Sequence, residues 1–203
     1  EKRLKSVYDL DGTLVPFNTF KVWVVLSFFI SILFLRWYFL FSIIKFAICR
    51  KIGRMDRVGF KVALLAIQQR TKFWPYVGKK YGKWLARHSL RKDLLVLGDN
   101  STKCLATAAP DIYVSSFSQE VNDFDVTICA HFCHSGEFVE TLNVVKLKFV
   151  REQFSEEPDL FFTDHYDDIP LAMAAKFTYI VSPSIKSERL FSDMLNAGRY
   201  TIV

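Results

Sequence analysis

Two acids two residues apart are the first feature with chemical consequence: Asp9-Leu10-Asp11-Gly12-Thr13-Leu14 closes the short apolar run Lys5 to Asp9. Such a run reads as a buried strand whose carboxyl end delivers a side chain into a crevice. The glycine lets the backbone turn sharply, so both carboxylates can face one pocket. One carboxylate can then attack phosphorus while its neighbour protonates the leaving oxygen and later deprotonates water. Alone, the same stretch would also suit a capped turn or a calcium loop.

Three further stretches carry candidate chemistry. Thr107-Ala108-Ala109-Pro110 follows a strand-like segment, Lys103 to Thr107, and offers a hydroxyl at a strand end. Lys146, with Lys148 as its competitor, stands near a helix start in Asn143-Val144-Val145-Lys146-Leu147 and supplies a cation for a developing phosphoryl charge. Thr163-Asp164-His165-Tyr166-Asp167-Asp168-Ile169-Pro170-Leu171 follows another strand-like segment and holds acids at i and i+4, which can approach one Mg²⁺ directly or through water.

In order and spacing, these stretches resemble the four motifs of the haloacid dehalogenase superfamily, in its phosphoserine-phosphatase-like branch. DLDGTLV resembles the first motif, TAAP the second (commonly TASP), NVVKL the third and TDHYDDIPL the fourth (GDSxxDxPL). The resemblance implies that Asp9 is the nucleophile, Asp11 the acid and base, Thr107 a hydrogen-bond donor to a phosphoryl oxygen, and Lys146 the charge-neutralising group. Lys146 is preferred to Lys148 because Asn143 precedes it by three. Pro170 sets the register so that Asp164 and Asp168 join Asp9 and Asp11, the latter through its backbone carbonyl, as the Mg²⁺ ligands, with Asp167 spare. The second acid, Asp11, favours phosphate transfer over dehalogenation. The sequence departs from the pattern in lacking glycines before Lys146 and in carrying Thr163 for Gly and His165 for Ser, changes that bear on pocket width.

The elements that must position these residues differ sharply along the 203-residue chain. Residues 16–92 hold sixteen Lys or Arg against the single acid Asp56, a net of +15, while the rest carries eleven bases and twenty acids, a net of −9. Residues 16–90 read as all-helical. Phe20 to Ile48 is overwhelmingly apolar, and two shorter helices meeting near Arg36 and lying in or on an interface are favoured over one bilayer-crossing span, because Arg36 would sit at mid-depth. From residue 91 on, short strands at 125–130, 159–163 and 178–181 join the one at 103–107. They alternate with helical stretches such as Asn143 to Phe154, which implies a mostly parallel α/β sheet. The expected fold is therefore a Rossmann-like core, 1–15 and 91–203, with an inserted all-helical C1 cap, 16–90, where the resemblance places one. Tyr200 to Val203 also reads as a strand, and both ends look cut from a longer protein.

Cys49, Cys104, Cys129 and Cys133 are too few and too scattered for a disulfide scaffold, so a cytoplasmic setting is expected. Cys129, His131, Cys133 and His134 are too compactly spaced for a tetrahedral zinc site. The leading expectation is a Mg²⁺-dependent phosphomonoesterase, associated with an anionic membrane surface through its cap and acting on a phosphorylated substrate, with a lipid phosphate as candidate. The alternatives are a phosphotyrosine or phosphoserine protein phosphatase, including a bacterial effector delivered to a host membrane, and a catalytically silent membrane-targeting module. Nucleic-acid binding is the weakest reading, given the density of Phe and Leu in the basic segment.

Overall fold

In the computed structural model, which describes residues 3–203, seven strands form one sheet in the order β4-β3-β2-β1-β5-β6-β7. The strands are β1 (Leu4–Tyr8), β2 (Ser101–Pro110), β3 (Val126–Phe132), β4 (Phe138–Val139), β5 (Leu160–Thr163), β6 (Phe177–Ile180) and β7 (Tyr200–Ile202). Every pairing is parallel except β3 with β4, which form a hairpin at one edge. The parallel α/β sheet expected from the alternating pattern is therefore the one that forms. The chain begins at the centre with β1, winds outward through β2 and β3, then returns to β5 on the other side of β1. That reversal opens a crevice at the carboxyl ends of the central strands, where an open parallel sheet places its ligands.

Four long helices lie between β1 and β2 in sequence: α1 (Thr19–Leu33), α2 (Trp37–Lys51), α3 (Arg57–Gln69) and α4 (Phe73–His88). Asn18 starts α1 by accepting the Lys21 N–H at 2.8 Å, and Asp56 starts α3 by accepting the Gly59 N–H at 2.6 Å. The break expected near Arg36 is real. Leu35 takes a positive φ of 52°, Arg36 sits before the first turn of α2, and its guanidinium lies 3.8 Å from the centre of the Phe73 ring. The remaining helices are α5 (Lys92–Val96), α6 (Asp111–Val121), α7 (Val144–Phe154), α8 (Ile169–Ala174) and α9 (Ile185–Met194).

One apolar cluster runs from the four inserted helices into the sheet. Trp23, Phe39, Phe60, Leu64, Trp74, Tyr81 and Leu85 pack together with Tyr113 and Phe117 of α6 and with Tyr8 and Phe162 of the sheet. The Trp23 ring stacks on Tyr81 at 5.6 Å and leans on Tyr113 at 5.8 Å. Helices α4 and α6 approach closely because Gly78 and Gly82, one turn apart, present bare backbone to the Ile112 and Tyr113 carbonyls. A Cβ at either glycine would overlap those oxygens.

Backbone facing backbone leaves nothing flexible to give way. Gly82→Ala should therefore destabilise the protein by about 1–3 kcal/mol through overpacking, despite a gain of about 1 kcal/mol in helix propensity. Urea unfolding of the two proteins measures the difference.

Candidate active site

Asp9 stands immediately past β1, pinned by its N–H to the Phe162 carbonyl at 2.9 Å. The chain then turns through Gly12, at φ 76°, and returns so that the Val15 N–H meets the Leu10 carbonyl at 2.9 Å. Gly12 serves the approach as well as the turn, because a Cβ there would overlap the Asp164 carboxylate. The tight loop therefore brings the first and fourth motifs into contact.

Lys146 enters from the first turn of α7, almost wholly buried. Its Nζ lies 3.1 Å from Asp9 Oδ1 and 2.7 Å from Asp168 Oδ1. Lys148 is exposed, with Glu152 at 3.8 Å, so Lys146 is the lysine that the fold brings to Asp9. Asn143, which precedes the helix, adopts a φ of 52°, a conformation that favours glycine and that Asn tolerates better than most residues. This is how the chain makes the turn into α7 without the glycines of the motif.

Asp168 is held from the other side by Thr163, whose hydroxyl donates to Asp168 Oδ2 at 2.8 Å. Thr163 stands where the motif has glycine, and its side chain is fully buried against the acid. His165 lines the cleft, its Nδ1 accepting the Asp167 N–H at 3.2 Å. Thr107 sits where the β2–β3 register breaks, between Ala106 and Pro110. Its Oγ1 accepts the Ala109 N–H at 3.1 Å, which leaves the hydroxyl hydrogen free to donate.

Asp11 is tied instead to the start of α1. Its Oδ1 accepts the Thr19 N–H at 2.8 Å and the Thr19 hydroxyl at 2.5 Å, and that hydroxyl is shared with Tyr113 at 2.9 Å. A carboxylate at a helix N-terminus is favoured by the unpaired N–H groups and the helix dipole. Nothing in the motif pattern points to Thr19. The only sequence signal was the Asn18 cap, which fixes where the first turn, with its free N–H groups, begins. Lys61 likewise belongs to none of the four motifs. From α3 it is buried between the Ala108 carbonyl, at 3.0 Å, and the Glu140 carboxylate.

Asp9, Asp11, Thr107, Lys146, Asp164 and Asp168 thus line one cleft of about 490 Å³, together with Lys21, Arg50 and Arg57 from the helices above it. Burial pushes the Asp9 carboxyl up, to about 8, against the pull of Lys146 and with the help of Asp168 and Asp164. Asp164 rises to about 7, through burial and then through Asp168. Burial also raises Asp11, although its bonds to Thr19 oppose the shift. For Lys146 burial disfavours the charge, but Asp168 and Asp9 outweigh it and hold the ammonium protonated.

Among the described residues no three acid, His or Cys side chains converge as they would on a shared metal ion. The donor chemistry nevertheless fits Mg²⁺, which takes one or two carboxylates and keeps several waters. Asp164 Oδ1 is buried without a hydrogen-bond partner, and burial, with Asp168 and Asp11 nearby, raises the affinity of Asp164 for protons. A divalent cation answers both needs.

Residues 7–173 match the haloacid dehalogenase-like hydrolase family. No curated protein shows significant similarity to the chain. Among solved structures, a Bordetella pertussis protein of unknown function superposes with a TM-score of 0.73 at 14% identity, over 100% of this chain and 99% of its own. A phosphoserine phosphohydrolase-like protein from Francisella tularensis gives 0.54 at 16% identity, over 98% and 94%. A HAD-hydrolase from Bacillus subtilis bound to magnesium gives 0.52 at 15% identity, over 100% and 95%. These likenesses concern the fold, and the family rests on the sequence match, which takes in the Asp9, Thr107, Lys146 and Asp164–Asp168 stretches: the chain belongs to the haloacid dehalogenase-like hydrolases.

Proposed function

We propose that the protein is a Mg²⁺-dependent phosphomonoesterase that works through a phosphoaspartate on Asp9. The observation that carries this reading is the buried Lys146 ammonium held between Asp9 and Asp168, because it steadies a nucleophilic carboxylate and offers positive charge where a phosphoryl group would arrive. An Asp9 oxygen attacks phosphorus, and the P–O bond to the leaving group breaks as Asp11 gives its proton to the departing oxygen. The raised proton affinity of Asp11 suits that donation, and Thr19 keeps the carboxyl in place. Asp11, now ionised, takes a proton from water as the water oxygen attacks the phosphoaspartate, freeing Asp9 and phosphate. Thr107 donates to a phosphoryl oxygen throughout. Asp9, Asp164, Asp168 and the Asp11 carbonyl would hold Mg²⁺, whose bound charge supplies neutralisation of the phosphoryl oxygens.

The substrate reading is a lipid phosphate met at an anionic membrane surface, and the orientation of α1 supports it. The residues α1 turns inward are Thr19, Trp23, Ser27 and Ser31, at every fourth position. Trp23 Nε1, Gln68 and Ser27 form a chain of hydrogen bonds at 3.0 Å each, so these buried polar groups are satisfied. Several large apolar residues face out. Val25, Phe29 and Leu33 of α1 are more than half exposed, as are Tyr38, Phe41 and Ile48 of α2, with Arg36, Lys45 and Lys51 among them. A helix hairpin that turns its greasy side to solvent beside basic residues suits an interface with anionic lipid. Among the described residues no helix is long and apolar enough to cross a membrane.

Hydrolysis of p-nitrophenyl phosphate with Mg²⁺ tests the chemistry. Asp9→Asn should abolish turnover with the circular dichroism melt preserved, and Asp11→Asn should slow it by roughly 10²–10⁴; wild-type rates in Asp9→Asn would remove the mechanism. Because Asp9 and Asp164 are raised when folded, their cost is absent below the unfolded carboxyl range near 4 and grows as pH rises through about 7 to 8. Mg²⁺ should therefore raise the melting temperature clearly at pH 8 and little at pH 5. For the membrane, co-sedimentation with vesicles containing one-third phosphatidylglycerol is expected, with little on pure phosphatidylcholine. Phe29→Glu with Phe41→Glu should release the protein, and equal binding by this double variant would sink the lipid reading.

A further inference from the structure

We infer that the wall of the cleft facing the buried acids is a second anion subsite, so that the preferred substrate is a phosphate monoester carrying another anionic group and no ammonium beside it. This deepens the phosphomonoesterase reading and rests on it. Three different helices each send one cation to the cleft: Lys21 from α1, Arg50 from α2 and Arg57 from α3. Among the described residues none of the three side chains has an ion-pair or hydrogen-bond partner, although the Arg50 guanidinium lies 5.7 Å from the centre of the Phe60 ring. The other cations near the site are already matched, Lys146 by Asp9 and Asp168, and Lys61 by Glu140.

Charge on this wall is also one-sided in sequence. The single acid in residues 16–92 is Asp56, and its carboxylate is spent on the Gly59 N–H at the start of α3. The cleft's acids, Asp9, Asp11, Asp164, Asp167 and Asp168, all come from the segments that follow β1 and β5, and none from the inserted helices. Three unpaired cations exceed what one transferred phosphoryl group needs when Lys146 already serves it. They suit a second phosphate or a carboxylate, with Arg offering the two-pronged donor geometry such groups accept. An ammonium on the substrate would meet these cations with no free acid on the same wall to receive it, so a zwitterion such as phosphoserine is disfavoured.

The test compares glycerol 1,3-bisphosphate, glycerol 3-phosphate and O-phosphoserine as Mg²⁺-dependent substrates of the wild type and of Arg50→Gln, Arg57→Gln and the double variant. A charge-assisted contact is worth roughly tenfold, so kcat/KM for the bisphosphate should exceed that for the monophosphate by at least about tenfold. In the double variant that ratio should fall towards one, chiefly through KM. A ratio near one in the wild type, a preference for phosphoserine, or an equal loss on both glycerol substrates would overturn the subsite. Failure of the hydrolytic reading shows separately, as absence of p-nitrophenyl phosphate turnover. Calorimetric binding of the same two glycerol phosphates to Asp9→Asn then decides the subsite by itself: tighter bisphosphate binding that is lost when Arg50→Gln and Arg57→Gln are added supports it, and equal binding refutes it.

Discussion

The rest of the structure depends on one buried charge cluster, the Lys146 ammonium between Asp9 and Asp168. Taking one ammonium and two carboxylates out of water costs several kcal/mol per ion, and their attraction repays it only when the geometry is good and the remaining polar atoms are satisfied. The fold is arranged to meet that condition. β1 and β5 pair side by side, so that Asp9 and Asp168 arrive at the same end of the sheet, and α7 begins at a positive-φ Asn so that its first turn points Lys146 between them. Thr163 then adds a second hydrogen bond to Asp168 Oδ2, which already accepts one from Lys146. Burial, helped by the neighbouring acids, raises the proton affinity of Asp9 against the pull of Lys146.

Asp11 is kept apart from this cluster, and the separation is chemical as well as spatial. Thr19, at the first turn of α1, gives Asp11 two hydrogen bonds of its own, while Asp9 has Lys146. Two acids two residues apart thereby acquire different surroundings, one suited to attack and one to carrying a proton. The helix whose Thr19 restrains Asp11 also exposes Val25, Phe29 and Leu33, so the partner of Asp11 and these surface-facing residues share one element.

What could be read in the sequence was whatever depends on residue type at a strand end. The strand-ending acids, the Thr107 hydroxyl and the Pro170 register each mark a place where the backbone stops being regular, and such places show in a single sequence. The sheet was legible for the same reason, from short β-branched and aromatic runs between helical stretches. The two-residue β4 was too short to signal itself. The inward face of α1 was hidden because a segment with Phe, Leu, Ile, Val or Trp at almost every position has no polar side to orient it. Only the spacing Thr19, Trp23, Ser27, Ser31 marks the buried stripe, and it looks like the wrong face until Gln68 is seen beneath it. Lys61 was illegible because its partners, Ala108 and Glu140, lie far along the chain and meet it only through the tertiary fold.

The shared aromatic cluster of Trp23, Tyr81, Tyr113 and Phe117 sets a limit on modularity. The four inserted helices do more than shelter the cleft, because they complete the interior on which α6 and the central strands rest. Exchanging them for another lid would leave Tyr113 and Phe117 facing water and the bare backbone of α6 without the glycines of α4 to receive it. Specificity in this chain can therefore drift by substitution on the cleft wall, residue by residue, but not by wholesale replacement of the helices that carry it.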